Sequence, residues 1–282
     1  MDPQSQARRR KAVKHLYRKF GLSQPWYYSS GDLQSLGIQA LQIDVTGDGT
    51  LKFDPCFFRP YPEKALQVYP PDFVQMADIS PPQTLTSLTS RPEVTSMIQI
   101  EEETGVKNEA ARATYNSAKK LLGPDEWHDH ARETYSFIQS HLNCARIGLT
   151  GSLAYSQNLR GFLPNPHAIF ILTSDVPASN AKNCLTLHKM QAILGIMVIR
   201  TTHRPFRSHP LHPLLVRSHT GEKHGRIIQA SLHGEHFILQ SSPLWSFADD
   251  NKAPVELSIR YQISQLVELA RWEKPNPAID SL

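Results

Sequence analysis

The stretch "GLTGSLAYSQNLRGFLPNPHAIFIL", residues 148–172, sets a Gly-Ser turn between two apolar strands. The first strand, 145–150, runs into Gly151 and Ser152, then come a short helical stretch and a loop, and the second strand, 168–173, begins after Asn165-Pro166-His167. Gly151 lets the backbone come close to a charged group, and Ser152, opening a helix, offers a hydroxyl and backbone N–H groups to phosphate oxygens. Gly151 and Ser152 are therefore candidate phosphate- or nucleotide-binding residues. The competing reading is architectural, with Ser152 serving only as a helix cap.

Downstream, strand and helix alternate: a helix from about 179 to 194, a strand at 196–202, a hairpin at 225–241 turning at Gly234-Glu235, and a last helix from Pro254 to about 272. That last helix is expected to bury Ile259, Ile263, Leu266, Val267 and Ala270. Upstream, Asn108 caps a helix through Leu122, and a second carries Trp127, Ala131, Tyr135, Ile138 and Leu142 on one face. "YPPDFVQMADISPPQTLTSLTSRPEV" reads as a linker or strap, and "IQALQIDVTGDGTLKFDP" as a β-hairpin. Asp44, Thr46 and Asp48 imitate the start of a calcium loop, but Pro55 stands where the closing Glu is needed. The pattern predicts an α/β (α+β) protein with a mixed sheet and flanking helices. Its parts are a basic helix at 1–24, a hairpin region and strap at 25–105, an α/β domain at 106–245, and a C-terminal helix at 246–282.

Charge is unevenly placed. Residues 144–234 hold ten Lys or Arg against Asp175 and Glu222, about +8, whereas the whole chain carries +4. Such a field favours an anionic partner, and Arg204, Arg207 and Arg217 are its candidate nucleic-acid contacts. At the N-terminus, Val13, Leu16, Tyr17 and Phe20 recur at helical spacing among cations, of which Arg8, Arg9, Arg10 and Lys11 are further candidates. This basic amphipathic helix reads as a nucleic-acid arm, an import signal or a presequence, or else as a surface helix docking its apolar stripe. No run of about eighteen apolar residues and no secretory signal is present, so the expectation is an intracellular protein without a membrane partner, nuclear or cytoplasmic, with mitochondria as the further option.

Cys56, Cys144 and Cys184 read as reduced, buried thiols. Ser152 does not sit in a G-x-S-x-G elbow. Seven of the thirteen histidines lie between His203 and His236. A two-residue turn puts His233 and His236 on one side of a ribbon, where His209 or His212 would complete a zinc site; the alternative is plain turn histidines without metal. Trp26, Tyr27 and Tyr28 are either core or a base-stacking cluster.

"FIQSHLNCARIGLTGSLAYSQNL", followed by a loop and "HAIFIL", resembles the nucleotidyltransferase fold of the polymerase-β type. More loosely, the order of elements is similar to that of archaeal nucleotidyltransferase-domain proteins. The resemblance implies that active members begin the second strand with Asp-x-Asp and take a third acid from a neighbouring strand, together holding two magnesium ions. Here the matching positions are Asn165-Pro166-His167, so the resemblance adds Asn165 and His167 to Gly151 and Ser152 as candidate phosphate- or nucleotide-binding residues; the segment "GIMVIRTTH" has no acid, and Asp175 lies at the far end of its strand. The expectation is a degenerate member, a pseudoenzyme without bound magnesium, binding RNA or scaffolding a ribonucleoprotein. The alternatives are an active nucleotidyltransferase with displaced acids, acid/base chemistry through His167, and a structural subunit with a protein partner.

Overall fold

The computed structural model describes residues 3–22, 25–64, 147–151, 166–174, 184–202, 206–220, 224–247, 254–262 and 264–267. The two helices expected between Asn108 and Leu142, the Pro/Ser/Thr-rich strap, Cys144, Ser152, Asn165 and Arg204 lie outside the described residues.

In chain order the elements are α1 (Pro3–Leu22), β1 (Tyr27–Tyr28), α2 (Ser30–Ser35), β2 (Ile38–Gln42), β3 (Phe58–Arg59), β4 (Ile147–Gly151), β5 (Ala168–Ser174), β6 (Leu185–Thr186), α3 (Leu187–Thr202), β7 (Leu214–Thr220), β8 (His224–His233), β9 (His236–Ser241), β10 (Trp245–Ser246), α4 (Val255–Gln262) and β11 (Gln265–Leu266). The architecture is mixed α+β. Its main sheet runs β2-β9-β8-β7-β5-β4, with β10 also on β8. The β2–β9 and β5–β7 pairs are parallel and the others antiparallel.

Both faces of this sheet are covered, which is why "AIFIL" in β5 and "LLV" in β7 are continuously apolar rather than alternating. On one face Ala168, Phe170, Leu214, Val216, Ile228 and Phe237 pack with α3 and with Val13, Leu16 and Phe20 of α1. The two helices run antiparallel: Gln191 Nε2 donates to Phe20 O at 3.1 Å, and one turn on Gly195 admits the Tyr17 ring, whose Cε2 would lie 3.4 Å from an added Cβ. On the other face Ile169, Leu215 and Ile227 meet Leu51, Phe53, Phe57 and Phe58 of a strap-like segment, and Leu257 and Tyr261 of α4.

The Gly234-Glu235 hairpin forms as expected, with His233 opposite His236 and Gly234 at φ 60. Four expectations change. The helix expected from about 179 begins at Leu187, because Leu185 and Thr186 pair as β6 with β1. The 196–202 segment is the second half of α3, not a strand: its β-branched run suits either state, and burial between α1 and the sheet decides for helix. The hairpin expected at 38–55 keeps its turn but only one bridge, Val45 with Leu51, because β2 pairs in parallel with the distant β9 instead. The last helix ends at Gln262 rather than near 272, and Gln265 and Leu266 form a strand against Arg59 and Phe58. Ile259 is buried as expected.

Candidate nucleic-acid interface and phosphate site

Gly151 pairs with Phe170, and Ala168, just after His167, pairs with Leu214, so the Gly151 end of β4, His167 and the start of β7 share one end of the sheet. Arg200, at the C-terminal end of α3, donates from Nη2 to His167 O at 2.8 Å and lies 3.6 Å from the centre of the Phe206 ring. His212 donates from Nε2 to Phe206 O at 2.9 Å. Burial, helped by nearby Arg200, pushes the His167 pKa down to about 4. Burial likewise takes His212 down to about 3, with Arg200, Arg9 and His209 adding to the effect. At neutral pH the two imidazoles are therefore uncharged beside the Arg9 and Arg200 guanidiniums. His167, only 2 % exposed and ringed by Phe57 and Phe58, is poorly placed to exchange protons with a substrate.

A second cluster occupies the opposite end. Thr186 Oγ1 accepts from the Lys189 backbone N–H at 3.3 Å, capping α3. The Lys189 ammonium is wholly buried and donates to Thr220 Oγ1, while Ser218 and Arg226 face each other across the β7–β8 ladder. Burial, with Arg226 nearby, lowers the Lys189 pKa to about 7, and burial lowers that of Arg226 to about 10. Among the described residues five Lys or Arg side chains are buried (Arg9, Lys189, Arg200, Arg217 and Arg226) and no Asp or Glu is.

Two residues expected on a nucleic-acid surface are thus inside. Arg9 is 5 % exposed, turned from the outer face of α1 toward the end of the sheet where Arg200 and His212 lie. Arg217 is 1 % exposed because it sits on a central strand covered on both faces; its Nε donates to Ser258 Oγ at 3.1 Å and its Nη2 to His219 Nε2 at 3.2 Å. The remaining cations of α1 stay in water. Arg8, Lys11, Lys14, Arg18 and Lys19 are exposed, Arg10 is half-buried, and α1 contains no Asp or Glu. Arg207 is also exposed.

His233 is half-buried against Phe57 and its directly opposed neighbour His236 is exposed. Among the described residues no three His, Cys, Asp or Glu side chains gather as a metal site. Cys56 and Cys184 are free thiols, each half-buried. Tyr28 is core, packed on Phe20 at 4.8 Å, whereas Trp26 is 53 % exposed. Arg200, Lys189 and Arg226 escaped the sequence reading of the site; their signal is a lone cation inside an apolar run, as in "MVIRTT", which periodicity alone assigns to a helix face or strand edge.

No helix among the described residues is long and apolar enough to cross a membrane. No protein-family model, curated protein or solved structure matches this chain.

Proposed function

We propose that this protein is a catalytically degenerate nucleotidyltransferase-like subunit that binds RNA, alone or within a ribonucleoprotein. The observation that carries the reading is α1: its apolar stripe is buried in the core, and its outer face presents Arg8, Lys11, Lys14, Arg18 and Lys19 with no acid in the helix. A cationic face held rigidly on a folded body suits a phosphate backbone. Two further features support the fold-level part. The Gly151 strand is antiparallel to β5, and the basic pair Arg9 and Arg200 lies toward the sheet end at which Gly151 closes β4.

The residues do not fit two magnesium ions. Asn165, Pro166 and His167 supply no carboxylate, and the two strands that neighbour β5, "IGLTG" in β4 and "LLVRSHT" in β7, have none either. The exposed guanidiniums and ammoniums of α1 suit holding an anion instead.

Fluorescence anisotropy with labelled single-stranded RNA over a salt series tests the reading. Wild-type affinity is expected to fall steeply with salt, and the combined Arg8→Ala, Lys11→Ala and Arg18→Ala variant to lose about 0.7 of the log–log slope per contact removed, with little change in melting temperature. Binding that ignores salt, or is unaltered in the variant, overturns it.

A further inference from the structure

We infer that Trp26 is a stacking platform for an unpaired base of the nucleic acid whose phosphates α1 holds. Its indole is 53 % exposed, the most exposed of the large apolar side chains among the described residues. An exposed Trp contributes little to a core, yet this one is held firmly. Its carbonyl accepts from the Leu187 N–H at 2.9 Å, and the next residue opens β1, which pairs Tyr27 with Thr186 and Tyr28 with Leu185. The His188 ring, 7 % exposed, meets the indole edge-on at 5.1 Å between centroids and 76° between planes. A rigid aromatic with an open side loses little conformational freedom when a flat partner stacks on it.

Position relative to the cations supplies the ligand class. Gln191, which bonds to Phe20 O, lies one turn along α3 from Leu187 and His188, which hold Trp26. Phe20, in the last turn of α1, therefore meets α3 about one helical turn, ~5 Å along its axis, from the residues that hold Trp26, and the exposed Arg18 and Lys19 directly precede Phe20. Phosphates on those cations and a base on Trp26 is the pairing that single-strand binders use, and it is sequence-tolerant because every base has a π-face. An anionic membrane is a poorer fit, since Val13, Leu16 and Phe20 are buried in the core and leave α1 no apolar face to insert.

This inference rests on the RNA reading above, and the test separates the two. The intact protein and its Trp26→Phe and Trp26→Ala variants are titrated with a short single-stranded oligouridylate, with the matching uridine–adenosine duplex, and with phosphatidylserine vesicles, following anisotropy and tryptophan emission. Trp127, Trp245 and Trp272 are retained, so quenching lost in Trp26→Phe belongs to Trp26. Single-strand affinity is expected to fall about tenfold or more in Trp26→Ala and to recover largely in Trp26→Phe, as loss of one stacked base predicts. Duplex affinity, the salt slope and the melting temperature should stay unchanged. Wild-type single-strand affinity in Trp26→Ala overturns the platform and leaves the α1 reading standing, whereas a wild-type protein that binds neither strand overturns both. Quenching by the vesicles but not by the oligouridylate also overturns the platform and makes Trp26 a membrane contact.

Discussion

The two faces of the main sheet are covered by different kinds of chain, and the sheet residues differ accordingly. Helices α1 and α3 hydrogen-bond their own backbones, so over most of the face beneath them the sheet offers only apolar side chains, and packing does the rest. The opposite face lies under an irregular segment, whose buried N–H and C=O groups must find partners elsewhere. Gln229 and Gln240, directly opposed on β8 and β9, supply them. Gln229 accepts from Phe57 N at 3.0 Å and donates to Pro55 O at 2.8 Å; Gln240 accepts from Asp54 N at 2.8 Å and donates to Asp54 O at 2.6 Å. The Tyr261 hydroxyl accepts from Leu51 N at 3.1 Å, and Arg260 Nε donates to Tyr61 O at 2.6 Å. Two glutamine amides thus replace a missing strand. The comparison teaches that a buried polar side chain in a sheet can mark the cover above it rather than a ligand site.

Phe20→Ala should have the largest effect, because it empties the fully buried anchor of α1 on the helical face. A loss of about 3–5 kcal/mol is expected in denaturant titration. A near-neutral result would mean that α1 is held by its exposed rim and not by its stripe.

Next comes Gln229→Leu, which keeps side-chain volume but orphans Phe57 N and Pro55 O. The expected cost is about 2–3 kcal/mol, since each buried backbone group left unsatisfied costs about 1–3 kcal/mol. Combining it with Gln240→Leu should be non-additive by about 0.5 kcal/mol or more, because both glutamines hold one segment. Strict additivity would break the picture of a single clamped strap.

The smallest effect sharpens the exception on the helical face. Lys189 is buried with a pKa lowered to about 7, whereas in the unfolded chain it titrates near its ordinary 10.5. Between those values the unfolded state binds the extra proton, so wild-type stability should rise with pH through that window, and the penalty is fully present below about pH 7. Lys189→Met should therefore stabilise by about 1–2 kcal/mol at pH ~6, with the gain shrinking toward pH ~10. Melting curves across that range test it. A gain independent of pH would point to packing, and a loss at every pH would mean that the bond to Thr220 outweighs the desolvation.

Much of the layout is legible in the sequence where local chemistry is strong. The stripe Val13, Leu16 and Phe20 predicts α1, the Gly234-Glu235 turn predicts the β8–β9 hairpin with His233 opposite His236, and the apolar runs predict β4 and β5. The candidate sites are legible only in part: composition marks α1 as basic, but not that Arg9 turns inward while Arg8 and Lys11 face water. Lone cations such as Lys189, Arg200 and Arg217 look alike in sequence; their burial follows from which layer covers the strand or helix that carries them.

By itself, then, the sequence determined the elements whose signals are local, namely periodicity, turn glycines and net charge, because these act within a few residues. Only the tertiary structure decided that "GIMVIRTT" continues a helix, that β2 joins β9 in parallel, and that 265–266 leaves the helix to pair with 58–59. Each of those choices depends on a partner far along the chain, whose free edge or open face offers more burial and hydrogen bonding than the local alternative.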